Sequence, residues 1–397
     1  NWTGHSMRSE VISTFLQERI VGGDFPSAVY LVAEKGEIVF QDARGYAVVE
    51  PEMIPATIDT IYDLASLTKP LVTGLLLAKL IDCGIIGLYD LVGNHLGAFY
   101  TEQKSEITLK DLATHTSGLR TWLPFYLLVD QNDPGAPKST VMCEICSDSP
   151  VEPVGSIVVY SDLNFLALAF LVEAATEATL SERAHSEIIG PLELTKTQFN
   201  PPSTLRRKIA ASEFGNLYEM QTCNRLGYFG GDERDWKLAR EVGRDVFAHR
   251  WRDYQIWGEV HDGNAYYLEG VAGHAGLFGT TEEVFKIAQQ FLPDYTTLLK
   301  PETCALFRTN FTAGMNEDRS FAFQLASTPE STAGTRMSPE SFGHLGFTGT
   351  SLWIDPIKER VFILLTNRTH ARKLPFANIN SVRRRFHDLA VELLDNR

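Results

Sequence analysis

Cysteine is scarce in this chain. Five thiols among 397 residues, Cys83, Cys143, Cys146, Cys223 and Cys304, form no dense framework and leave at least one unpaired, which excludes a small disulfide-stapled scaffold. Cys143 and Cys146 make a single C-x-x-C; one pair completes no four-ligand zinc site, and no metal is expected. Positive charge is also short: 36 Lys and Arg stand against 50 Asp and Glu, a net charge of −14. Such a surface repels phosphate backbones and anionic membranes and argues against a nucleic-acid partner. Long apolar runs are missing too. The most apolar stretch, Leu71 to Leu88, is interrupted by Lys79 and Asp82, so burial explains it better than a bilayer and no membrane span is expected.

Other signals are absent as well. Asn1 to Met7 lacks the charged start and apolar core of a signal peptide, and Gly4-His5-Ser6-Met7 reads as a cloning remnant, so the compartment stays open. No repeat of 20 to 50 residues and no low-complexity tract emerges, which disfavours a solenoid or propeller. No G-x-S-x-G elbow and no H-E-x-x-H zinc motif occurs. The glycine-rich segment Gly270 to Gly279, with His274, lacks both the Lys-Ser/Thr of a phosphate loop and the G-x-G-x-x-G spacing, so no nucleotide or other cofactor is expected.

What is present suits a large, compact protein. Hydrophobic residues make up 44% and charged residues 22%, within the globular range. Val11, Ile12, Phe15, Leu16 and Ile20 share one face of an opening helix that stops at Gly22-Gly23. Ala28 to Ala33 and Ile38 to Phe40 flank Glu34-Lys35-Gly36-Glu37 as a hairpin, and Ser351 to Ile354 with Val361 to Leu365 flank Asp355-Pro356-Ile357-Lys358 as a second. Ile379, Val382, Phe386, Leu389, Ala390 and Leu393 recur at helical spacing, giving a closing helix able to cover a sheet. Its Arg383-Arg384-Arg385 triplet reads as a solvated face. Between the ends, helical patterns such as Asn164 to Ala178 predominate, punctuated by Asp133-Pro134-Gly135 and Asn200-Pro201-Pro202.

Three constellations could carry chemistry. Ser66-Leu67-Thr68-Lys69 opens the buried segment, and on a helix positions i and i+3 lie on one face, so hydroxyl and amine can touch. A serine needs such a neighbouring base before it becomes nucleophilic. Tyr160-Ser161-Asp162 lies between the β-rich Ile157-Val158-Val159 and a helix; Asp162 suits an N-cap, while Tyr160 could shuttle a proton beside a lysine. Gly343-His344-Leu345-Gly346-Phe347-Thr348-Gly349-Thr350 enters the second hairpin, where glycines permit close approach by a ligand.

In this order Ser66-x-x-Lys69, Tyr160-Ser161-Asp162 and His344-Leu345-Gly346 resemble the three signatures of class C β-lactamases, DD-peptidases and family VIII carboxylesterases. The likeness covers nearly the whole chain and includes His115-Thr116-Ser117-Gly118-Leu119. It implies an α+β fold, an α/β sandwich with a central antiparallel sheet from both chain ends and flanking terminal helices. Residues 1–69 and 270–397 would form that unit, residues 70–269 a mostly helical one, and the site would lie between them. It implies Ser66 as the acylated nucleophile, Lys69 and Tyr160 exchanging its proton, and the Ser66 and Phe347 N–H groups as the oxyanion hole. Asp162, His344 and Gly346 would then contact substrate.

Two departures bear on substrate. The third signature of the family usually begins with Lys; His344, mostly neutral at pH 7 when unperturbed, weakens any fixed charge for a substrate carboxylate. Asp162 stands where many relatives carry Asn and can only accept hydrogen bonds. A carboxylesterase on small or medium esters is therefore the first expectation, with a β-lactamase or D-amino-acid peptidase as the near alternative. A penicillin-binding sensor that acylates without turnover is a third. The partner is a small ester or amide; the base, Lys69 or Tyr160, and the oligomeric state stay open.

Overall fold

The computed structural model describes residues 9–128, 136–228 and 251–397. Asn1 to Met7 and the Asp133-Pro134-Gly135 breaker lie outside the described residues. The opening amphipathic pattern forms a helix over Glu10–Val21, started by Ser9, whose hydroxyl accepts from the Ile12 N–H. That satisfies one of the donors a helix start leaves bare.

The strands are, in chain order, β1 (Ser27–Glu34), β2 (Glu37–Val48), β3 (Ile54–Pro55), β4 (Tyr62–Asp63), β5 (Gln198–Phe199), β6 (Leu277–Gly279), β7 (Gln324–Leu325), β8 (Phe342–Gly346), β9 (Thr350–Asp355) and β10 (Arg360–Thr366). Both expected hairpins form, β1 with β2 and β9 with β10. Lys35 and Gly36 turn the first one at positive φ. The hairpins join where β1 pairs with β10, from Ala28 opposite Thr366 to Glu34 opposite Arg360. One antiparallel sheet of order β3-β2-β1-β10-β9-β8-β7 thus draws on both ends of the chain.

Side chains alternate across a strand, so Ala28, Tyr30 and Val32 face one way and Val29, Leu31 and Ala33 the other, all buried. On the first face lie the opening helix, through Ile12 and Leu16, and the closing helix Asn380–Asp395, through Val382, Phe386 and Leu389. The opposite face packs against Leu67, Leu71, Leu75 and the helix Asp162–Thr176, in which Leu163 to Val172 are all buried. No single described helix is long and apolar enough to cross a membrane.

The arginine triplet does not form one solvated face. Arg385 is exposed, but Arg383 is buried and its Nη2 donates to the Gly346 and Thr350 carbonyls at 3.0 and 2.9 Å. Helical spacing puts position 383 on the same side as Phe386 and Ala390, against the sheet. Burial pushes its guanidinium down to about 9.

A second sheet, of order β4-β6-β5, pairs Tyr62 with Gly279 and Phe199 with Leu277. It lays the glycine-rich 270–279 segment along the chain that carries Ser66: the Leu64 N–H donates to the Leu277 carbonyl, and the Leu277 N–H to the Thr68 hydroxyl.

Candidate active site

Ser66 lies in a 3-10 turn, Ala65–Leu67, that passes into a wide π-type turn over Lys69–Gly74 and only then into the α-helix Leu75–Asp82. Sequence spacing suggests a plain helix start; the wider winding of a π turn is a common feature of functional sites. Ala65, just before the hydroxyl, is held at φ +48, a conformation that costs a non-glycine residue energy unless its surroundings enforce it. Asp63 enforces it, accepting the Ala65 N–H at 2.9 Å on one carboxylate oxygen and the His261 N–H at 2.8 Å on the other.

Lys69 is wholly buried, and its Nζ donates to Ser66 Oγ at 2.9 Å, Tyr160 Oη at 2.7 Å and Asp162 Oδ1 at 2.7 Å. Burial alone would push the amine down, but the Asp162 carboxylate, with Tyr160, outweighs it and holds Lys69 above its ordinary range. Lys69 is thus an ammonium at neutral pH.

The N-cap of the following helix is Ser161, not Asp162. Its Oγ accepts from the Leu163 N–H at 3.1 Å and donates to the Arg120 carbonyl at 2.6 Å. With the cap supplied one residue earlier, the Asp162 carboxylate turns to Lys69. Ile157 to Val159 joins no strand, but Val159 N–H donates to the His115 carbonyl and Val158 is gripped by Asn316.

His115 supports the tyrosine from beneath. Its Nδ1 accepts the Ser161 N–H at 3.1 Å and lies 2.9 Å from Asn164 Nδ2, which assigns the ring proton to Nε2. The ring packs 4.7 Å from that of Tyr160. Burial, then the fields of Arg319, Lys69 and His344, push His115 well below its usual value, so it is neutral. The His-Thr-Ser-Gly-Leu segment thereby shapes the Tyr160 loop, a role its sequence does not disclose.

His344 on β8 faces the same ring at 5.8 Å. Its Nδ1 lies 2.8 Å from the Leu345 carbonyl, so Nδ1 carries the proton, while Nε2 has no partner among the described residues. Burial foremost, then Lys69 and Arg319, push it well below the usual histidine value. The third signature therefore presents a neutral side chain.

The end of β8 is stitched to the serine turn. Thr348 Oγ1 donates to the Asp63 carbonyl at 2.7 Å and Thr350 Oγ1 to the Leu64 carbonyl at 3.0 Å. A Cβ at Gly346 would fall 1.9 Å from Thr350 Oγ1 and 2.8 Å from the Leu64 carbonyl oxygen, so only glycine admits this seam. Phe347 follows; its carbonyl accepts from Arg368 Nε at 2.7 Å, and its ring stacks on His261 at 5.5 Å.

Two contributors, Arg319 and Asp262, carry no signal in the sequence, and His274 of the glycine-rich 270–279 segment joins them. Arg319 is buried with its Cζ 5.8 Å from the Tyr160 ring centre, and no local motif marks it. Asp262 and His274 pair at 2.9 Å behind Lys69, and the His274 carbonyl lies 3.5 Å from Nζ. Asp162, Asp262 and His274 each offer one ligand-capable atom within 4.8 Å of the others, a spacing that could hold a cation. Lys69 already neutralises Asp162, and His274 pairs Asp262.

The β-lactamase family model matches residues 12–382. A Salmonella typhimurium protein named "Putative D-alanyl-D-alanine carboxypeptidase" is 31% identical over 94% of this chain and 85% of its own length. An Escherichia coli K12 protein of the same name is 29% identical over 87% of this chain and 79% of its own. Among solved structures, EstCE1, "a hydrolase with promiscuous acyltransferase activity", superposes with a TM-score of 0.69 at 19% identity, covering 96% of this chain and 97% of that one. A class C β-lactamase from Rhodobacter sphaeroides gives 0.68 at 17%, covering 97% and 100%; at these identities the likeness is one of fold. The chain belongs to the β-lactamase family and is a serine hydrolase of the β-lactamase and DD-peptidase kind.

Proposed function

We propose that the protein is a carboxylesterase that works through an acyl-enzyme on Ser66. The observation that carries this reading is the Lys69 ammonium bridging Ser66 Oγ and Tyr160 Oη. An ammonium has no lone pair to take a proton, which leaves Tyr160 as the acceptor for the serine proton while Lys69 stabilises the phenolate and orients the hydroxyl. Ser66 Oγ then adds to the ester carbonyl, and the Ser66 and Phe347 N–H groups stabilise the oxyanion, each donor being worth about 3 kcal/mol. Tyr160 returns the proton to the leaving alcohol, and in the second half-reaction takes one from the deacylating water.

Esters without a free carboxylate fit best, because the fixed cation such a carboxylate would need is missing at position 344. His344 is neutral, and Arg368, beside the same strand, commits Nε and Nη1 to the Phe347 and Ala377 carbonyls. The names of the curated relatives favour a second reading, a D-alanyl-D-alanine carboxypeptidase. One panel separates the two: short-chain p-nitrophenyl esters, a D-alanyl-D-alanine peptide and nitrocefin. Ester turnover that disappears in Ser66→Ala is expected; peptide cleavage exceeding ester cleavage selects the second reading, and undiminished turnover in Ser66→Ala removes both.

A further inference from the structure

We infer that Arg319 is a second fixed positive charge of this site, a positioning residue that holds Tyr160 from behind and favours its phenolate. The inference rests on the proposed role of Tyr160 as proton acceptor.

The Arg319 side chain is 3% exposed. Its Nη1 pairs with Glu317 Oε1 at 3.2 Å, and that oxygen also accepts from Gln324. Nε and Nη2 are buried without a partner among the described residues. A guanidinium normally fills its five N–H donors, and leaving three of them, one on Nε and two on Nη2, without a hydrogen-bond partner inside a protein is costly. Here the partner is the face of an aromatic ring, Tyr160, with Cζ 5.8 Å from its centre, within cation–π range.

The segment that carries Arg319 also fixes the loop that carries Tyr160. Asn316 Oδ1 accepts the Val158 N–H at 2.8 Å and its Nδ2 donates to the Val158 carbonyl at 3.0 Å, a two-point clamp two residues ahead of the tyrosine. Arg319 is pinned in turn: its N–H donates to Thr312 Oγ1 at 2.8 Å, and its carbonyl accepts from the Phe311 N–H.

Every charge facing the ring can be weighed. Lys69 Nζ is 4.7 Å from its centre and is itself offset by Asp162 at 2.7 Å. His115 and His344 flank it as neutral rings. Glu317, 19% exposed, offsets part of the Arg319 charge. Among the described residues both cations facing the ring, Lys69 and Arg319, touch one carboxylate each and both push the flanking histidines down; of the two, Arg319 is the one with nitrogens that lack a hydrogen-bond partner.

The test is the pH profile of kcat/KM on a p-nitrophenyl ester, in the full chain. Arg319→Gln is expected to move the limb on which activity rises with pH upward by about one unit. At neutral pH kcat falls about 10-fold while KM stays within about twofold. Arg319→Lys keeps the limb near its original position. Glu317→Gln moves it the opposite way, downward, by removing a nearby negative charge. Asn316→Ala lowers kcat without moving the limb, as a purely positional change should. An unmoved limb in both Arg319→Gln and Glu317→Gln overturns the inference. Should Arg319→Gln not fold, Glu317→Gln decides alone, because its side chain keeps the same shape. An unmoved limb in an enzyme that still loses activity in Ser66→Ala defeats only the role of Arg319; activity surviving in Ser66→Ala defeats the proposed function itself.

Discussion

The two faces of the seven-stranded sheet obey the same alternation and end in different chemistry. Under the terminal helices, Ile12, Leu16, Phe386 and Leu389 meet Tyr30, Val32, Phe362 and Leu364 in a mainly apolar layer, with buried Arg383 and His387 beside it, each held by backbone carbonyls. Across the sheet, the layer that continues into the serine turn encloses Lys69, His115, Arg319 and His344, all buried. Burying a charge costs several kcal/mol unless it is paired and hydrogen-bonded, so the second layer is stable only with its partners in place. The first layer is mainly packing; the second gathers its buried polar groups around one serine.

The sharpest break of that contrast is chemical. Ser66→Ala should lower kcat on an active ester at least about 10³-fold, leaving the melting temperature within a few degrees, since one part-exposed hydroxyl is lost. Tyr160→Phe is expected to lower kcat about 10²- to 10⁴-fold, the range for losing a general base, measured on the same ester with circular dichroism confirming the fold.

On the other face the effect should invert. Phe386→Ala removes a fully buried ring that meets Tyr30 edge-on at 5.9 Å, and should cost about 3 to 5 kcal/mol in urea unfolding while activity per folded molecule is unchanged.

The smallest effect concerns His387, also on the terminal-helix face and buried, with Nδ1 2.6 Å from the Thr332 carbonyl. Burial pushes it down to about 3. The unfolded chain therefore takes up a proton below its ordinary value of about 6.5 while the folded chain does not, so stability falls as pH drops from there towards the folded value. At pH 5 the loss is about 2 kcal/mol, from about 1.5 units at 1.36 kcal/mol each. His387→Gln should remove that part of the acid destabilisation, read by denaturant unfolding at pH 7 and pH 5. An unchanged difference between the two pH values would assign the acid sensitivity elsewhere.

How far each face can be read from the sequence follows from the same difference. The hairpins and terminal helices announce themselves because apolar periodicity and turn residues are local, and the turn at Lys35-Gly36 and the stripe of Val382, Phe386 and Leu389 lie where they indicate. The nearness of Ser66 to Lys69 is local too, a matter of three residues. Hydrogen-bond choices between neighbours are less legible: Ser161 and Asp162 are both good caps, and only the buried Lys69 makes the carboxylate more useful elsewhere. Arg383 reads as solvated because its neighbours in sequence are charged, whereas its neighbours in space are the carbonyls of Gly346 and Thr350. Arg319 and the Asp262–His274 pair come from segments far from Ser66 in sequence, and no spacing rule links them to it.

The hydroxyl that touches Lys69 is the proposed nucleophile. Fluorophosphonate labelling followed by peptide mapping tests it most directly. A single stoichiometric adduct on Ser66 is expected, formed faster as pH rises and greatly slowed in Tyr160→Phe. An adduct on another serine, or ester turnover that continues with Ser66 unlabelled, would contradict it.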